Sequence, residues 1–147
     1  MASNTEHSIA LVGNPNCGKT TLFNALTGAK QRVGNWPGVT VEKKSGEYRF
    51  RDHHVEVIDL PGTYSLDVVD REVSLDERVA RDFVHTGEAD LVINIVDASN
   101  LERNLYLTLQ LAEMGLPLML VLNMTDMAEA KGIRVDIDAL SRRLGCP

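Results

Sequence analysis

Hydrophobic residues of this chain occur either in short, nearly continuous runs or at helical spacing, and the two patterns alternate. The nearly continuous runs occupy residues 8–12, 91–96 and 118–122. Such runs are typical of strands that are buried on both faces of a parallel sheet. Residues 45–50 and 55–60 are two further strand segments, and the short polar segment between them predicts an antiparallel hairpin.

Four segments carry hydrophobic residues at helical spacing. They span residues 20–28, 75–86, 100–114 and 136–145. Ser74 and Glu77 form a capping box at the start of the second segment, Asn100 is the predicted cap of the third, and Asp136 opens the fourth. The residues expected on the inward face of the third segment are Leu101, Leu105, Leu109 and Ala112.

The order of these segments predicts an α/β fold with a mainly parallel sheet, one antiparallel hairpin and helices on both faces. Residues 30–41 and 61–73 contain glycine and proline and are predicted to be irregular, the first stretch being a candidate moving loop. With 147 residues, the chain fits a single domain. Ligands of such sheets bind beyond the carboxyl ends of the strands.

Composition argues against several classes of function, although it leaves a locally basic patch possible. The net charge of −6 argues against sequence-independent binding to nucleic acid, which needs a basic surface. No apolar stretch approaches the roughly 20 residues of a membrane helix, and the N-terminus lacks the basic and apolar blocks of a signal peptide. We therefore expect the chain as given to be soluble and cytosolic. Its two cysteines form no disulfide framework.

Residues 13–20 read Gly-Asn-Pro-Asn-Cys-Gly-Lys-Thr, a complete G-x-x-x-x-G-K-[ST] phosphate loop between a predicted strand and a predicted helix. Its glycines let backbone N–H groups converge on an anion, and the helix N-terminus adds partial positive charge. Lys19 is expected to reach the β- and γ-phosphates, and the Thr20 hydroxyl to bind Mg²⁺. The predicted nucleotide contacts are Gly13, Asn14, Pro15, Asn16, Cys17, Gly18, Lys19, Thr20 and Thr21.

Cys17 has two interpretations. At a helix N-terminus a thiolate can be stabilised, which would make the side chain reactive. A small residue at a variable position of the loop is the alternative, and the sequence favours it. The adjacent pair His53 and His54 is similarly open to a metal-ligand interpretation, but without further ligands at suitable spacing a solvated turn is favoured.

Asp59, Leu60, Pro61 and Gly62 form a D-x-x-G motif at the end of the third predicted strand. The Asp59 carboxylate is expected to hold a water of a phosphate-bound Mg²⁺, and the Gly62 N–H to bond a γ-phosphate oxygen. Strands often end in aspartate and turns often contain Pro-Gly, so the motif alone is weak. Its position after the phosphate loop favours the functional interpretation.

Asn123, Met124, Thr125 and Asp126 follow the fifth predicted strand. A carboxylate here can accept paired hydrogen bonds from guanine N1–H and the 2-amino group, whereas adenine offers no such donor pair. Asp126 is therefore predicted to select guanine. A helix-capping aspartate after a strand is the alternative.

Thr40 lies in the first irregular stretch, at a distance along the chain that allows it to swing over the phosphates. Its hydroxyl is a candidate ligand of Mg²⁺ and its N–H a candidate contact of the γ-phosphate, so loss of that phosphate would release the loop. Only the three surrounding motifs support this assignment. The contacts expected from this loop are Gly38, Val39, Thr40, Val41 and Glu42.

These four motifs, in this order, resemble the GTP-binding proteins of the Ras-like class. The closer resemblance is to the cytoplasmic N-terminal G domain of the ferrous iron transport protein B family. The members of this family are bacterial inner-membrane transporters. The resemblance runs from about Ile9 to the chain end, and the segment around Trp36 is its most specific part. The segments that carry it are residues 13–20, 31–42, 59–65 and 97–106.

The resemblance implies a P-loop NTPase with a Ras-like G domain over residues 1–147, a GTPase that uses Mg²⁺ held by Thr20, Thr40 and Asp59. It places the first switch at about residues 30–42 and the second at about 61–73. Family members with asparagine at the Asn16 position use K⁺, which here implies the Asn16 side chain and the backbone carbonyls of Gly34 and Trp36 as ligands. A turn residue is the alternative for Asn16. The implied catalytic residues are Asn16, Lys19, Thr40 and Gly62.

The chain departs from the wider GTPase pattern in three ways. Met124 stands where a lysine is usual, and Thr63 where many GTPases have the glutamine that orients water, which predicts slow hydrolysis. The family's G domain also continues into a final strand and helix, then a helical regulatory domain and a transmembrane region. We expect this chain to lack that last strand and helix, with reduced nucleotide affinity because one wall of the base pocket is missing.

The leading hypothesis is a GTP-hydrolysing switch, driven by K⁺ and Mg²⁺, which gates iron(II) uptake at the cytoplasmic face of the inner membrane in the intact protein. The implied partners are guanine nucleotide and the helical and transmembrane parts of that protein. Two alternatives stay open. One is an ATP-using P-loop enzyme, against which Asp126 argues, and the other is a nucleotide-binding module without turnover.

Overall fold

The computed structural model describes residues 5–66 and 74–147. None of the helices in these residues is long and apolar enough to cross a membrane. The described elements, in chain order, are β1 (Thr5–Gly13), α1 (Lys19–Thr27), β2 (Gln31–Asn35), β3 (Glu42–Phe50), β4 (His53–Asp59), α2 (Leu75–Thr86), β5 (Leu91–Asp97), a 3₁₀ turn (Ala98–Asn100), α3 (Leu101–Glu113), β6 (Leu118–Asn123), α4 (Thr125–Ala130) and α5 (Ile137–Leu144).

The described strands form one six-stranded sheet in the order β2-β3-β4-β1-β5-β6. β4, β1, β5 and β6 are parallel to one another, whereas β3 is antiparallel to both β2 and β4. The predicted α/β fold class is therefore confirmed. Because the parallel strands share one direction, the segments that follow β1, β4 and β6 leave the sheet at the same edge.

Both faces of the centre of the sheet are covered, as the apolar runs of β1 and β5 predicted, whereas β6 is buried only at Leu118 and is otherwise partly exposed. Along β1, the side chain of Leu11 packs on one face with Phe23 of α1, and Val12 packs on the other with Leu107 of α3. Leu11, Val12, Phe23 and Leu107 are all fully buried. The alternation of β1 side chains between two cores places this strand at the centre of the molecule.

The first stretch that the sequence predicted to be irregular contains a strand, so that prediction is wrong for residues 31–35. These residues form β2, which pairs with β3 from Gln31 opposite Gly46 to Asn35 opposite Glu42. Every side chain of β2 is exposed. The pattern of hydrophobic residues therefore could not predict this strand. Backbone hydrogen bonds hold it to β3 at the edge of the sheet. Residues 61–66 are irregular as predicted, and residues 67–73 lie outside the described range.

The face of α3 that packs inward is not the predicted one. The buried residues of this helix are Asn104, Leu107, Thr108 and Leu111, whereas Leu109 is 52% exposed. The prediction counted only apolar residues, and Leu101, Leu105 and Ala112 are only partly buried. Two polar side chains occupy the inner face because each has hydrogen-bond partners inside the protein, which offsets the cost of burial.

The predicted helix caps are mostly confirmed. The Ser74 hydroxyl accepts a hydrogen bond from the Glu77 N–H, and the Asp136 carboxylate accepts one from the Ala139 N–H. Asn100 makes no side-chain cap, which corrects the prediction for α3. The Asp97 carboxylate instead accepts from the Ser99 N–H and begins the 3₁₀ turn that leads into the helix. The short helix α4 was not predicted from the sequence.

Candidate nucleotide-binding site

The phosphate loop connects the end of β1 to the start of α1. Its turn is closed by the Cys17 N–H, which donates to the Asn14 carbonyl at 3.3 Å. Asn16 and Gly18 have positive φ angles of 65° and 95°. The first turn of α1 contains no acidic residue, so the partial positive charge of the helix N-terminus is not neutralised by its own side chains.

A cavity of about 550 Å³ lies over this loop. It brings together residues of three predicted motifs: the phosphate loop, the D-x-x-G motif through Gly62, and the base motif through Met124. Its volume is within the range of ligand pockets. The lining residues are Asn14, Pro15, Asn16, Gly18, Lys19, Thr20, Thr21, Gly62, Asp76 and Met124.

A smaller cavity of about 200 Å³ adjoins the same lysine. It brings the remaining residues of the D-x-x-G motif to the site together with the end of the first predicted switch. Its lining residues are Lys19, Val41, Glu42, Lys44, Asp59, Leu60, Pro61 and Asp76. The two cavities share Lys19, which therefore lies between the loop and the carboxyl end of β4.

Only glycine fits at two positions of the phosphate loop. A Cβ atom at Gly18 would lie 1.9 Å from Asn123 Nδ2, in addition to the strain of a φ of 95°. A Cβ at Gly13 would lie 2.6 Å from Cys17 Sγ and 2.8 Å from the Ile95 carbonyl oxygen. Both contacts result from close packing of the loop against the ends of the neighbouring strands.

Asn123 fixes the loop from the side of β6. Its Nδ2 donates a hydrogen bond to the Cys17 carbonyl at 3.0 Å. The sequence predicted Asn123 only as a residue of the base motif, whereas in the structure its side chain holds the phosphate loop. Asn123 thus links the segment predicted to bind the base to the segment predicted to bind phosphate.

The rest of the base motif lies at the start of α4. Met124 has a φ of 56°, lines the larger cavity and precedes the helix, and Thr125 and Asp126 are exposed in the helix's first turn. Asp126 does not line the larger cavity. Its selection of guanine stays a prediction.

Lys19 and Asp59 form a direct ion pair. The two side chains are only 11% and 6% exposed, so neither charge is well solvated. A buried ion pair loses much of its stability when one partner is removed, since the other charge then has no compensation. The carboxylate of Asp59 is thus the partner of the lysine that is predicted to bind phosphate.

The turn after β4 packs directly on the phosphate loop. A Cβ at Gly62 would lie 3.1 Å from Pro15 Cα, and the Thr63 N–H donates to the Gly13 carbonyl at 3.0 Å. The Thr63 hydroxyl donates to the Ser65 carbonyl at 2.7 Å, and the residue is 1% exposed. This hydroxyl is therefore engaged inside the turn and does not face a cavity.

Cys17 is a buried residue of the loop. Burial raises the pKa of its thiol, although the nearby Lys19 opposes that shift. A raised pKa keeps the side chain a neutral thiol at pH 7. The structural interpretation of Cys17 is therefore favoured over a reactive thiolate.

The first predicted switch lies partly away from both cavities. Trp36 is 8% exposed and packs edge-on against Phe83 of α2, with ring centroids 5.5 Å apart. Its carbonyl accepts a hydrogen bond from the Val39 N–H at 3.2 Å. Thr40 is exposed, and Gly34 is paired with Lys43 across the β2–β3 ladder. Neither cavity is lined by Gly34, Trp36, Gly38, Val39 or Thr40.

Asp76, like Lys44, lines a cavity of this site and was missed by sequence reasoning. It lines both cavities and lies in the first turn of α2. The only signal in the sequence was an acidic residue directly after the capping serine, which is also what an ordinary helix start contains. Its proximity to the phosphate loop arises only when α2 packs on the sheet.

The paired histidines have separate partners. His53 Nδ1 is 2.9 Å from His7 Nε2, and His54 Nε2 is 2.9 Å from Glu47 Oε2. Within residues 5–66 and 74–147, no three or more His, Cys, Asp or Glu side chains are grouped to hold a metal ion. The structure therefore does not bring His53 and His54 into one ligand set.

Comparison with known proteins identifies the family. Residues 7–147 match the family model of ferrous iron transport protein B. The Fe(2+) transporter FeoB of Salmonella typhimurium is 63% identical over 140 residues, and that of Shigella flexneri is 64% identical over the same length. Each alignment covers 95% of this chain but 18% of the relative, so the chain spans less than a fifth of their length.

Solved structures of the same family share the fold. The cytosolic domain of L. pneumophila FeoB is 56% identical with a TM-score of 0.90, covering 95% of this chain and 59% of that one. An S. thermophilus NFeoB mutant bound to mGDP is 51% identical with a TM-score of 0.88, covering 97% and 53%. The G domain of the T. maritima FeoB is 45% identical with a TM-score of 0.84, covering 97% and 84%. The chain belongs to the ferrous iron transport protein B family and corresponds to its N-terminal G domain.

Proposed function

We propose that this chain binds guanine nucleotide, hydrolyses GTP slowly, and acts as the switch that regulates ferrous iron transport in an intact membrane protein. The observation that best supports this proposal is the cavity of about 550 Å³, which is lined by the phosphate loop, Gly62 and Met124. S. thermophilus relatives with the same fold are bound to mGDP and to GDP. In the intact protein, the domain would lie at the cytoplasmic face of the bacterial inner membrane, with helical and transmembrane parts as partners.

The phosphates would occupy the space in front of the α1 N-terminus. Lys19 lies at the boundary of both cavities and would exchange its ion pair with Asp59 for contacts with the β- and γ-phosphates. This exchange would free the Asp59 carboxylate, which lines the smaller cavity, to bind Mg²⁺ together with the Thr20 hydroxyl at the start of α1. Hydroxyl and carboxylate oxygens are the donors that Mg²⁺ prefers, and Mg²⁺ would neutralise charge on the phosphates. Thr40 would join them by moving from its exposed position.

K⁺ activation is the second part of the proposal. Asn16 lines the larger cavity, and amide and carbonyl oxygens suit K⁺ because they replace its hydration shell. The carbonyls of Gly34 and Trp36 would complete the ligand set after the first switch moves toward the phosphate loop. A cation at this position would supply the positive charge that an arginine finger supplies in other GTPases.

Replacing Asp126 with asparagine is expected to raise the Kd for GDP about 100-fold, since two charge-assisted hydrogen bonds to guanine would be lost. The measurement is a titration with GDP, ADP and xanthosine diphosphate. Xanthine carries a carbonyl in place of the 2-amino group, so its nucleotide should bind the variant better than GDP does.

Asp138→Asn is the matched control, because Asp138 also lies in the first turn of an exposed helix but belongs to a different helix and lines neither cavity. It should leave all three affinities unchanged. Equal binding of ADP and GDP by the unchanged chain would instead support the ATP-using alternative.

GTP turnover is expected to be at least about tenfold faster in K⁺ than in Na⁺ at equal ionic strength, because Na⁺ is too small for a ligand set spaced for K⁺. Phosphate release reports the rate. Asn16→Ala should remove the difference between the two ions, whereas Asn24→Ala, an exposed change on α1, should retain it. Equal rates in both salts for the unchanged chain would contradict the K⁺ mechanism.

A nucleotide-binding module without turnover is the second candidate. It is favoured by the engaged hydroxyl of Thr63 and by Thr40, which lines neither of the two cavities. GDP binding in the absence of any K⁺-dependent phosphate release would support this candidate over hydrolysis.

A further inference from the structure

Asn94 places a carboxamide in the middle of β5, a strand that is otherwise apolar up to Asp97. It is 1% exposed. Its Nδ2 donates to the Val12 carbonyl at 3.2 Å, and its Oδ1 accepts from the Thr108 hydroxyl at 2.5 Å. A buried amide is costly unless it is hydrogen-bonded, and this one is bonded through both of its polar atoms.

The hydrogen bonds continue along α3 to the end of β5. Thr108 and Asn104 lie one helical turn apart on the buried face of this helix. Asn104 Oδ1 accepts from the Asp97 N–H at 3.1 Å, and its Nδ2 donates to the Asn100 carbonyl at 2.8 Å. The start of α3 is thereby fastened to the carboxyl end of β5.

The same network reaches both ends of the phosphate loop. On one side, Asn94 bonds Val12, the residue that precedes Gly13. On the other side, Asp97 is paired in the β5–β6 ladder with Asn123, whose side chain bonds the Cys17 carbonyl. The loop is therefore held at its entrance by Asn94 and near its exit by Asn123.

Helix α3 also contacts the turn that follows β4. Gln110 Oε1 accepts from the Leu66 N–H at 2.7 Å, and the guanidinium of Arg103 stacks over the Tyr64 ring at 4.3 Å. Helix α3 is thus linked to the entrance of the phosphate loop by Thr108, which bonds Asn94. It contacts the start of the second predicted switch through Gln110 and Arg103. A shift of α3 would therefore move both segments.

We propose that Asn94 and Thr108 are positioning residues for the nucleotide, acting through the Val12 carbonyl on the phosphate loop. A loop whose N–H groups already converge on one point loses less conformational entropy on binding a phosphate, and this preorganisation appears as affinity. An apolar side chain at this position would be enough to pack β5. We therefore assign the buried amide of Asn94 to holding the phosphate loop through the Val12 carbonyl. The inference rests on the proposed function, because it concerns affinity for the same nucleotide.

Thr108→Val tests this inference in the whole chain, since it removes the hydroxyl donor and retains the shape of the side chain. The Kd for GDP is expected to rise about tenfold, mainly through faster dissociation. Thr108→Ser retains the donor and should remain within about twofold of the unchanged chain. This rescue would separate the hydrogen bond from the packing of the methyl group.

Leu107→Ala is the matched control for loss of stability. Leu107 is the adjacent residue on the same helix, is fully buried, and makes no side-chain hydrogen bond. It should lower the denaturant midpoint more than Thr108→Val does, yet leave the Kd for GDP within about twofold. If Thr108→Val does not fold, Thr108→Cys, which keeps a weak donor, should give an intermediate rise in Kd.

The outcomes distinguish the inference from the proposed function. GDP binding by the unchanged chain with an equal Kd for Thr108→Val overturns the inference alone. An equal rise for Leu107→Ala and Thr108→Val also overturns it, since the network would then contribute only to stability. An unchanged chain that binds no GDP overturns the proposed function and the inference together.

Discussion

Replacing Gly18 with alanine is expected to abolish nucleotide binding at ordinary concentrations, raising the Kd for GDP about 100-fold or more. The added Cβ would lie 1.9 Å from Asn123 Nδ2 at a φ of 95°, so the loop must move or Asn123 must leave. Strain at a left-handed position costs about 1–3 kcal/mol, and the lost hydrogen bond to Cys17 about 1 kcal/mol. The free protein can relieve this strain by rearranging the loop. Nucleotide binding would require the original loop conformation and would therefore bring the strain back. Isothermal titration with GDP measures the effect.

Gly28→Ala is the matched control, because Gly28 ends the same helix and also has a positive φ, 56°, but its Cβ would meet no atom within 4 Å. We expect a modest loss of stability and an unchanged Kd. The double variant Gly18→Ala with Asn123→Ala should not recover wild-type affinity, since the strained φ and the missing bond to Cys17 both remain. Wild-type affinity of Gly18→Ala itself would mean that the loop does not bind phosphate in the described conformation.

Replacing Lys19 with methionine is expected to cause two separable losses. Nucleotide affinity should fall about 100-fold, because charge-assisted hydrogen bonds to phosphate are lost. The free energy of unfolding should also fall, by about 3 kcal/mol, because the carboxylate of Asp59, 6% exposed, loses its partner. Denaturant unfolding without nucleotide measures the second loss, and GDP titration the first.

The double variant Lys19→Met with Asp59→Asn separates the two effects. A neutral amide at residue 59 removes the uncompensated charge, so most of the lost stability should return. Affinity for GDP should remain low, since no ammonium group is restored. Recovery of affinity together with stability would mean that Lys19 contributes only to folding.

An element was predictable from the sequence when its side chains pack in a hydrophobic core. It was not predictable when only its backbone hydrogen bonds hold it in place. The strands that contain Leu11, Ile95 and Val121 were predicted because side chains on both faces meet hydrophobic cores. β2 was missed because all its side chains are exposed and only its backbone is engaged. In α3, the inner face was misassigned because Asn104 and Thr108 are buried with hydrogen-bond partners on β5, which no local pattern in the helix reveals.

The candidate site divides in the same way. Gly13, Gly18 and Lys19 were predicted as a unit because the phosphate loop is contiguous in sequence and its chemistry depends on local backbone geometry. Asp76 was missed because its neighbours at the site are distant in sequence. The roles of Asn16, Thr40 and Asp126 stay predictions, and the variants described above test Asn16 and Asp126 directly.

The sequence by itself determined the family, the α/β class and the contiguous phosphate loop, since these depend on spacing within short segments and on apolar runs. Only the tertiary structure decided that Asp59 is paired with Lys19, that Asn123 holds Cys17, and that Asn94 links the loop to α3. Each of these contacts joins residues from different strands or helices. Their formation depends on the order of the strands in the sheet and on how closely the strands and helices pack. The spacing of residues along the chain does not specify the distance between residues of different elements.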